Sequence, residues 1–388
     1  MRRVVFFPVL VLLVFRGAGA QGGGMIIDHH DTDITALSEE DINLAKATLH
    51  IGYGHTSHGS QLTSGMTGLV AFANNGGKDL SLPQDMFAWN NGGIGGALDL
   101  EEGDGYGDGW LDHDCGYYPN WVNETRVYLD DASHADVNVI IWSWCGQVSS
   151  RTEQGMIDTY LAPMTQLEID YPDVSFVYMT GHVDGGSTTG NLFIRNQQIR
   201  DYCSANGKIL YDFADIESWD PDGAYYGDKL VTDACDYDSD ADGVRDRNWA
   251  TDWQNSHTEG VDWFNCSSAH SQPLNANQKA YAAWALWTQI ATAIAAPLLG
   301  DVNLDEAVNG LDVEPFVDVL VTGVFQAEAD MNQDGAVNGL DVDLFADAVV
   351  AGMSLTAVPE PNTAMLVGSA ALALIGMNRR RRRGAVAP

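Results

Sequence analysis

Residues 25–295 alternate between two patterns of apolar positions. Continuous runs of β-branched and aromatic residues are typical of buried strands, and they occur at Asp136–Trp144, Val174–Met179 and Lys208–Phe213. Segments with helical spacing lie between and after these runs: Thr152–Tyr171, Asn191–Asn206 and the Ala- and Trp-rich Asn275–Ala295. Strands that alternate with helices predict an α/β fold, a three-layer α/β/α domain with a mostly parallel sheet. Active sites of such sheets gather at the carboxyl ends of the strands.

The two ends of the chain carry targeting patterns. Residues 1–20 have a basic start, a short apolar stretch and small residues at Ala18 and Ala20. This order predicts a secretory signal peptide that is cut after Ala20, with a buried N-terminal helix as the alternative. At the other end, residues 358–388 hold Val358-Pro359-Glu360-Pro361, an apolar run and five arginines, Arg379–Arg383.

This C-terminal order of motif, apolar run and arginine cluster closely resembles the PEP-CTERM sorting signal. The resemblance implies a bacterial source, transient membrane association and cleavage by an exosortase. The arginines are expected to stay on the cytoplasmic side. We therefore expect an exported protein, extracellular or on the cell surface, that loses this segment.

The charge balance narrows the class of partner. The 388 residues include 19 Lys+Arg and 54 Asp+Glu, and the targeting ends hold eight of the basic residues but one of the acidic ones. The rest of the chain is therefore still more acidic. Such a surface repels nucleic acid, which is excluded as a partner, and it suits an exported protein that binds divalent cations.

Five cysteines remain without an assigned role: Cys115, Cys145, Cys203, Cys235 and Cys266. Export permits disulfides, but the odd number leaves at least one cysteine without a partner in the chain. None of them has the spacing of a metal finger.

Residues 298–354 contain an internal repeat, which starts at Asp301 and again at Asp330, 29 residues later. Oxygen-bearing side chains recur at positions 1, 3, 5, 9 and 12 of both copies: Asp301, Asn303, Asp305, Asn309 and Asp312, then Asp330, Asn332, Asp334, Asn338 and Asp341. Alternating oxygen donors on a tight loop can surround Ca²⁺, with backbone carbonyls of Ala307 and Ala336 at position 7. Two solvated acidic turns are the alternative, which the duplicated spacing disfavours.

This pair of loops resembles a type I dockerin domain, a small all-α module. The resemblance implies calcium-dependent folding and a cohesin-like protein partner. The chain departs from the family beside the last ligand of each loop, where Gly310-Leu311 and Gly339-Leu340 replace the usual Ser/Thr-type recognition pair.

Two further acidic stretches lie inside the α/β domain. Asp238, Asp240 and Asp242, followed by Gly243, form a single D-x-D-x-D-G calcium-loop pattern, with a solvated loop as the alternative. The stretch Asp104–Asp114 is similar but less regular.

The segment 54–61, GHTSHGSQ, carries candidate catalytic chemistry. Ser57 lies between two histidines and is flanked by glycines, which predicts a nucleophile on a tight strand-to-helix turn; a polar structural turn is the alternative. Serine needs a histidine that takes its proton, and His270, on a loop before the last helix, is the candidate. Ser60 is an alternative nucleophile.

The placement of these groups resembles the SGNH/GDSL hydrolases over about residues 40–295. The resemblance implies Ser57 as nucleophile, His270 as general base, and Gly146 and Gln147 as the oxyanion element that ends the central strand. His182 and Asp184, at the end of the next strand, would bind substrate or orient groups. The chain departs from the family in three places: there is no Gly-Asp-Ser triplet, Ser267 stands where an aspartate is expected, and Gln147 replaces asparagine.

Three functions follow from these patterns. The main expectation is an exported ester hydrolase, acting on an extracellular carbohydrate or other polymer and carrying a calcium-dependent docking module. A non-catalytic carbohydrate- or surface-binding protein on the same fold is the second. The third is a metal site assembled from four histidines: His55, His58, His182 and His270.

Overall fold

The computed structural model describes residues 24–103, 110–305 and 307–356, without the side chains of 353–356. These residues form two compact units that divide between Ala296 and Pro297. The predicted signal peptide and sorting signal lie outside the described residues, as does part of the acidic stretch Asp104–Asp114. No helix in the described ranges is long and apolar enough to cross a membrane.

The larger unit is built on a seven-stranded sheet. Its strands are β1 (Ile26–Ile27), β2 (His50–Gly54), β3 (Trp89–Asn90), β4 (Leu98–Glu102), β5 (Val139–Trp142), β6 (Ser175–Met179) and β7 (Ile209–Tyr211). They lie in the order β1-β7-β6-β5-β2-β4-β3, and every neighbouring pair is parallel. The predicted parallel α/β fold is therefore confirmed.

Helices cover this sheet. They are α1 (Glu39–Thr48), α2 (Ser60–Asn74), α3 (Asn120–Asp130), α4 (Glu153–Met156), α5 (Ala162–Asp170), α6 (Asn191–Ala205), α7 (Phe213–Ile216), α8 (Trp249–Ser256) and α9 (Pro273–Ala295). A π-helical turn, Ile157–Leu161, joins α4 to α5. Short 3-10 turns occur at His29–Asp31, Ile34–Ala36, Gly77–Asp79, Ala132–His134 and Val148–Ser150. Helices α1 and α2 pack against α9, whereas α3 packs against α5 and α4 against α6.

The long helix α9 lies in the core, as its composition predicts. Tyr281, Trp284 and Trp287 are all buried. Gln278 and Lys279 are buried on the same helix, and a core that encloses a lysine must also supply its partner.

Strand β2 ends at Gly54, the first residue of the GHTSHGSQ segment. Gly52 and Gly54 lie in this strand because the neighbouring strand β5 carries large side chains, which leave no room for a Cβ. A Cβ at Gly54 would lie 2.2 Å from ring atoms of Trp142, and one at Gly52 would lie 2.8 Å from Ile140. These glycines let β2 accommodate the β5 side chains, and the turn that follows the strand covers residues 57–59.

A short hairpin emerges beyond β7. It pairs β8 (Asp236–Tyr237) with β9 (Arg247–Asn248) in antiparallel register, and the acidic D-x-D-x-D-G loop connects the two strands. The segment just before β8 returns towards the sheet, where its residue Asp233 contacts His58.

The smaller unit contains α10 (Val313–Thr322) and α11 (Val342–Thr356), with 3-10 turns at Gly310–Asp312 and Ala327–Ala329. The rings of Phe316 and Phe345 stack at 3.9 Å between centroids and form the centre of its core. Val308 and Val337 pack against this core, as the repeat predicts for equivalent positions.

The close packing of α2 on α9 predicts the effect of one substitution. A Cβ at Gly65 of α2 would lie 2.1 Å from the carbonyl oxygen of Ala276 in α9. We expect Gly65→Ala to lower the free energy of unfolding by about 1–3 kcal/mol, because backbone must move apart to admit the methyl group. Urea denaturation measures this free energy of unfolding. Thr67→Ala, on the exposed side of α2, is the control, and equal stability of the two variants would contradict this packing.

Candidate active site

Strands β2 and β5 meet at the topological switch point of the sheet. The chain leaves β2 towards β4 on one side and leaves β5 towards β6 on the other, so their carboxyl ends open a crevice. Ligands of open α/β sheets bind at such a position. The loop after β2 carries His58, and the loop after β5 carries Cys145.

His58 lies between a thiol and a carboxylate. Its Nδ1 is 3.2 Å from Sγ of Cys145, and its Nε2 is 3.0 Å from Oδ2 of Asp233. Because a carboxylate accepts, Nε2 carries a proton and donates to Asp233, which leaves Nδ1 to exchange a proton with the thiol. A nucleophile, a histidine base and an orienting carboxylate in this order form a catalytic triad in geometry and roles.

The environment favours the charged form of this pair. The hydrogen bond with His58 lowers the pKa of the Cys145 thiol to about 7, although partial burial acts in the opposite direction. Burial alone would lower the pKa of His58, but the hydrogen bonds with Asp233 and Cys145 outweigh it and raise that pKa to about 9. Between these two values the thiolate–imidazolium form dominates. The thiolate is the nucleophilic form of cysteine.

Two more histidines stack on His58. The ring of His182 lies parallel to it at 3.8 Å, and the ring of His270 lies at 4.5 Å with an interplanar angle of 17°. Burial lowers the pKa of His182, and its Nδ1 donates to the carbonyl of Val183 at 2.8 Å. Neutral His182 therefore keeps an unprotonated Nε2 in the crevice.

The stacking of His58 and His182 limits how the two rings could bind one metal ion. Ligand atoms of His58, His182 and Asp233 lie within 4.8 Å of one another, as ligands of one ion would. A metal ion binds in the plane of an imidazole ring at about 2.0–2.1 Å from nitrogen. The two rings are stacked in parallel, with centroids 3.8 Å apart, so one ion cannot lie in both ring planes. This arrangement fits a metal centre less well than a thiol nucleophile.

The structure places the predicted nucleophile beside the cysteine. Ser57 is exposed, and its Oγ lies 3.8 Å from Sγ of Cys145; no hydrogen bond joins it to His270 among the described residues. Ser60 donates its hydroxyl proton to the carbonyl of Ser57. His270 is close to the centre through its ring stack, with a positive φ of 63°. The role of Ser57 and His270 as nucleophile and base stays a prediction.

The other predicted groups occupy separate positions. His55 pairs with Glu102 at 3.0 Å, and its ring contacts Tyr53, whereas the other three histidines stack together. Gln147 accepts a hydrogen bond from the backbone N–H of Cys145 at 3.1 Å, so its oxygen orients the nucleophile's backbone. The residue between them, Gly146, adjoins His182. Asp184 accepts from the backbone N–H of Gly186 and lines a cavity of about 260 Å³ beyond the β6 loop.

Sequence reasoning did not single out Cys145 as the partner of His58, and it missed Asp233 altogether. The signal for Cys145 was present, because a cysteine followed by glycine directly after a buried strand lies at the catalytic edge of the sheet. Asp233 lies in an irregular acidic segment, 175 residues from His58, and no local pattern distinguishes it from its neighbours.

The two repeat loops of the smaller unit have the same geometry. The backbone N–H of Asp305 donates to Asp301 at 3.0 Å, and that of Asp334 donates to Asp330 at 3.2 Å. At the other end, Asp312 and Asp341 are fully buried, and each accepts two backbone N–H groups of its own loop. Buried carboxylates are costly without a counter-charge, so this donor set fits a hard cation.

A family comparison decides the identity of this unit. Residues 299–349 match the family described as Dockerin type I domain. Domains of this type bind calcium, occur in extracellular or cell-surface proteins and bind a cohesin partner. The comparisons with curated proteins and with solved structures found no match for this chain. Calcium is thus the cofactor of the dockerin module, where it would neutralise the clustered carboxylates.

The residues at which this dockerin departs from the family pattern lie on its surface. Leu311 and Leu340 stand at equivalent positions of the two repeats, and each is 68% exposed. Each repeat thus exposes an apolar side chain in the Gly-Leu pair beside its last ligand.

The triad geometry predicts the reactivity of Cys145. Iodoacetamide alkylates thiolates, so its rate at Cys145 should rise with a midpoint near pH 7, well below that of an ordinary cysteine at about 8.5. His58→Ala should return the midpoint towards the ordinary value. Peptide mapping after short exposures measures this rate, with buried Cys203 as the internal control. A Cys145 midpoint of about 8.5 or higher in the unaltered protein would contradict the ion pair.

Proposed function

We propose that residues 24–296 form a thiol hydrolase of the acyl-transfer class, which cleaves esters or amides through Cys145. The observation that carries the proposal is the position of His58 between Cys145 and Asp233 at the sheet's switch point. The main sequence expectation of ester hydrolysis is kept, and the nucleophile is reassigned from Ser57 to Cys145.

The chemistry follows from the triad. The Cys145 thiolate attacks the carbonyl carbon, the carbonyl π electrons move to oxygen, and His58 gives its Nδ1 proton to the leaving alcohol or amine as the bond to carbon breaks. Water then attacks the resulting thioester, His58 accepts its proton, and the carboxylic acid leaves from sulfur. Asp233 holds the imidazole by its other nitrogen throughout. The backbone N–H of Gly146 is the candidate oxyanion donor.

The dockerin module supports an extracellular setting for this activity. It would tether the hydrolase to a cohesin-bearing partner, and a polymer such as an acylated carbohydrate is the substrate class that suits a tethered enzyme. Export through residues 1–20 and exosortase processing of residues 358–388 remain predictions from the sequence, because both segments lie outside the described residues.

We also propose a third calcium site at the loop between β8 and β9. Asp238 accepts from the backbone N–H groups of Asp242 at 3.2 Å and Gly243 at 2.7 Å. In the second dockerin loop, Asp330 accepts in the same way from Asp334 at 3.2 Å and Gly335 at 2.8 Å. Side chains of Asp238, Asp240 and Asp242 converge within 4.8 Å and supply hard oxygen donors.

The nucleophile assignment predicts a contrast between two variants. Cys145→Ala should lower kcat/KM for short aryl esters by about 10³-fold or more, because the covalent route is lost. Ser57→Ala removes only a neighbour of the thiol and should retain most activity. Acetylated sugars and an aryl amide extend the same assay to other acyl substrates.

The opposite result would overturn the assignment. If Ser57→Ala abolishes turnover while Cys145→Ala keeps it, the serine mechanism with His270 stands instead. Activity that disappears on transition-metal chelation and returns with zinc would favour the metal alternative.

The calcium sites predict a stoichiometry and a folding transition. Equilibrium dialysis of the full chain should show three bound Ca²⁺, and the variant Asp240→Asn/Asp242→Asn should bind two. Chelation should unfold the dockerin module, because repulsion among its carboxylates opposes a small core. Helical circular dichroism would fall accordingly, while the larger unit stays folded. Two ions bound by both proteins would exclude the third site, and an unchanged spectrum would contradict calcium-dependent folding.

A further inference from the structure

The core of the larger unit contains an ion pair. Lys279 of α9 and Glu217, directly after α7, are both fully buried, with Nζ 2.6 Å from Oε2. The ammonium also lies 3.6 Å from the centre of the Phe213 ring. Removing two charges from water costs several kcal/mol per ion, and apolar residues of similar size often give equal or greater stability. Stability alone is therefore a weak explanation for this pair.

The pair belongs to a network that reaches three loops. The ammonium of Lys279 donates to Oε1 of Gln61, whose amide nitrogen donates to the carbonyl of Ala269 at 2.5 Å. On the other side, Glu217 accepts a hydrogen bond from the backbone N–H of Val183. Gln61 is inaccessible to solvent, like the ion pair, so water cannot replace the hydrogen bond between Gln61 and Lys279.

Each end of the network lies beside one of the stacked histidines. Gln61 is three residues after His58 in the first turn of α2, Val183 follows His182, and Ala269 precedes His270. These are the three rings that stack on one another at the active-site crevice. The loops come from distant parts of the chain, and in this network the buried ammonium–carboxylate pair links all three.

We propose that Lys279 and Glu217 are positioning residues that hold the His182–His58–His270 stack in register with Cys145. The inference rests on the proposed function, because only that function makes the crevice an active site. The geometry of the histidine stack does not depend on the function. Fixed hydrogen bonds to Val183 and Gln61 set the distance between the β6 loop and α2. A buried ionic pair gives these bonds a strength that neutral partners lack.

The pair also has an electrostatic effect on His58. The titratable groups in contact with His58 are Cys145, Asp233, His182 and His270, while Glu217 acts through space. The negative charge of Glu217 contributes to the raised pKa of His58, after the hydrogen bonds with Asp233 and Cys145. Removing the whole pair also removes the positive charge of Lys279, which acts in the opposite direction, so a displaced His58 ring is recognised by loss of its hydrogen bonds with Cys145 and Asp233.

The test separates position from charge with two double variants of the full chain. Lys279→Met/Glu217→Leu removes the network, whereas Lys279→Met/Glu217→Gln is neutral but keeps an oxygen for the N–H of Val183. The matched control is Lys208→Met/Glu168→Leu, which removes another Lys–Glu pair located just before β7, away from the carboxyl edge. Thermal stability, kcat, KM and the NMR titration of His58 are measured for all of them.

We expect the first variant to lose about 100-fold in kcat with little change in KM, the size of loss that a small misplacement of catalytic groups can cause. The second should recover to within about tenfold of the unaltered protein. The pKa of His58 should fall in the first variant, because a displaced ring loses its hydrogen bonds with Asp233 and Cys145, and it should largely recover in the second. The control should keep the kcat and the His58 titration of the unaltered protein.

Other outcomes overturn the proposal. Unchanged kcat and an unchanged His58 titration in both variants would make the pair a packing feature only. If the first variant does not fold, Gln61→Leu takes its place, because it breaks the link to Ala269 without a change of charge. Unchanged kcat and an unchanged His58 titration in Gln61→Leu would then refute the inference. Failure of the proposed function is recognised separately, by full activity of Cys145→Ala, and the His58 titration still tests the network in that case.

Discussion

The hydrogen bond between His58 and Cys145 depends on the pairing of two parallel strands, β2 and β5. Their carboxyl ends lie side by side at the point where the chain diverges, so loops 87 residues apart in sequence deliver a base and a thiol to one crevice. Gly52 and Gly54 make this pairing possible, since any side chain there would collide with those around β5. Asp233 completes the arrangement from a third segment, and it holds the ring nitrogen that faces away from the thiol.

Hydrogen bonds turn this arrangement into a reactive pair, against the opposing effect of burial on both groups. His58 is enclosed by two other histidine rings, and the carboxylate of Asp233 supplies the charge that keeps it protonated at neutral pH. The thiol beside it then loses its proton more readily than a free cysteine. The buried Lys279–Glu217 pair connects the same three histidine-bearing segments through hydrogen bonds to Gln61 and Val183.

Sequence patterns predicted the fold and the dockerin module more fully than the active site. Dockerin ligands follow one another within twelve residues, so local spacing is enough to reveal them. The order of strands and helices indicated a parallel sheet and its catalytic edge. His58 and Cys145 were both visible at that edge, but their pairing depends on strand order, which periodicity does not give. Asp233 could not be foreseen, since it reaches His58 through an irregular segment whose path is set by the β8–β9 hairpin.

The central claim is that Cys145 forms the covalent intermediate. Rapid quenching of the full chain with an excess of an aryl ester, followed by peptide mass spectrometry, locates the transferred acyl group directly. The account predicts an acyl adduct on the peptide that contains Cys145, which hydroxylamine removes and which is absent from the Cys145→Ala variant. An adduct on Ser57 or Ser60 with Cys145 unmodified would contradict it.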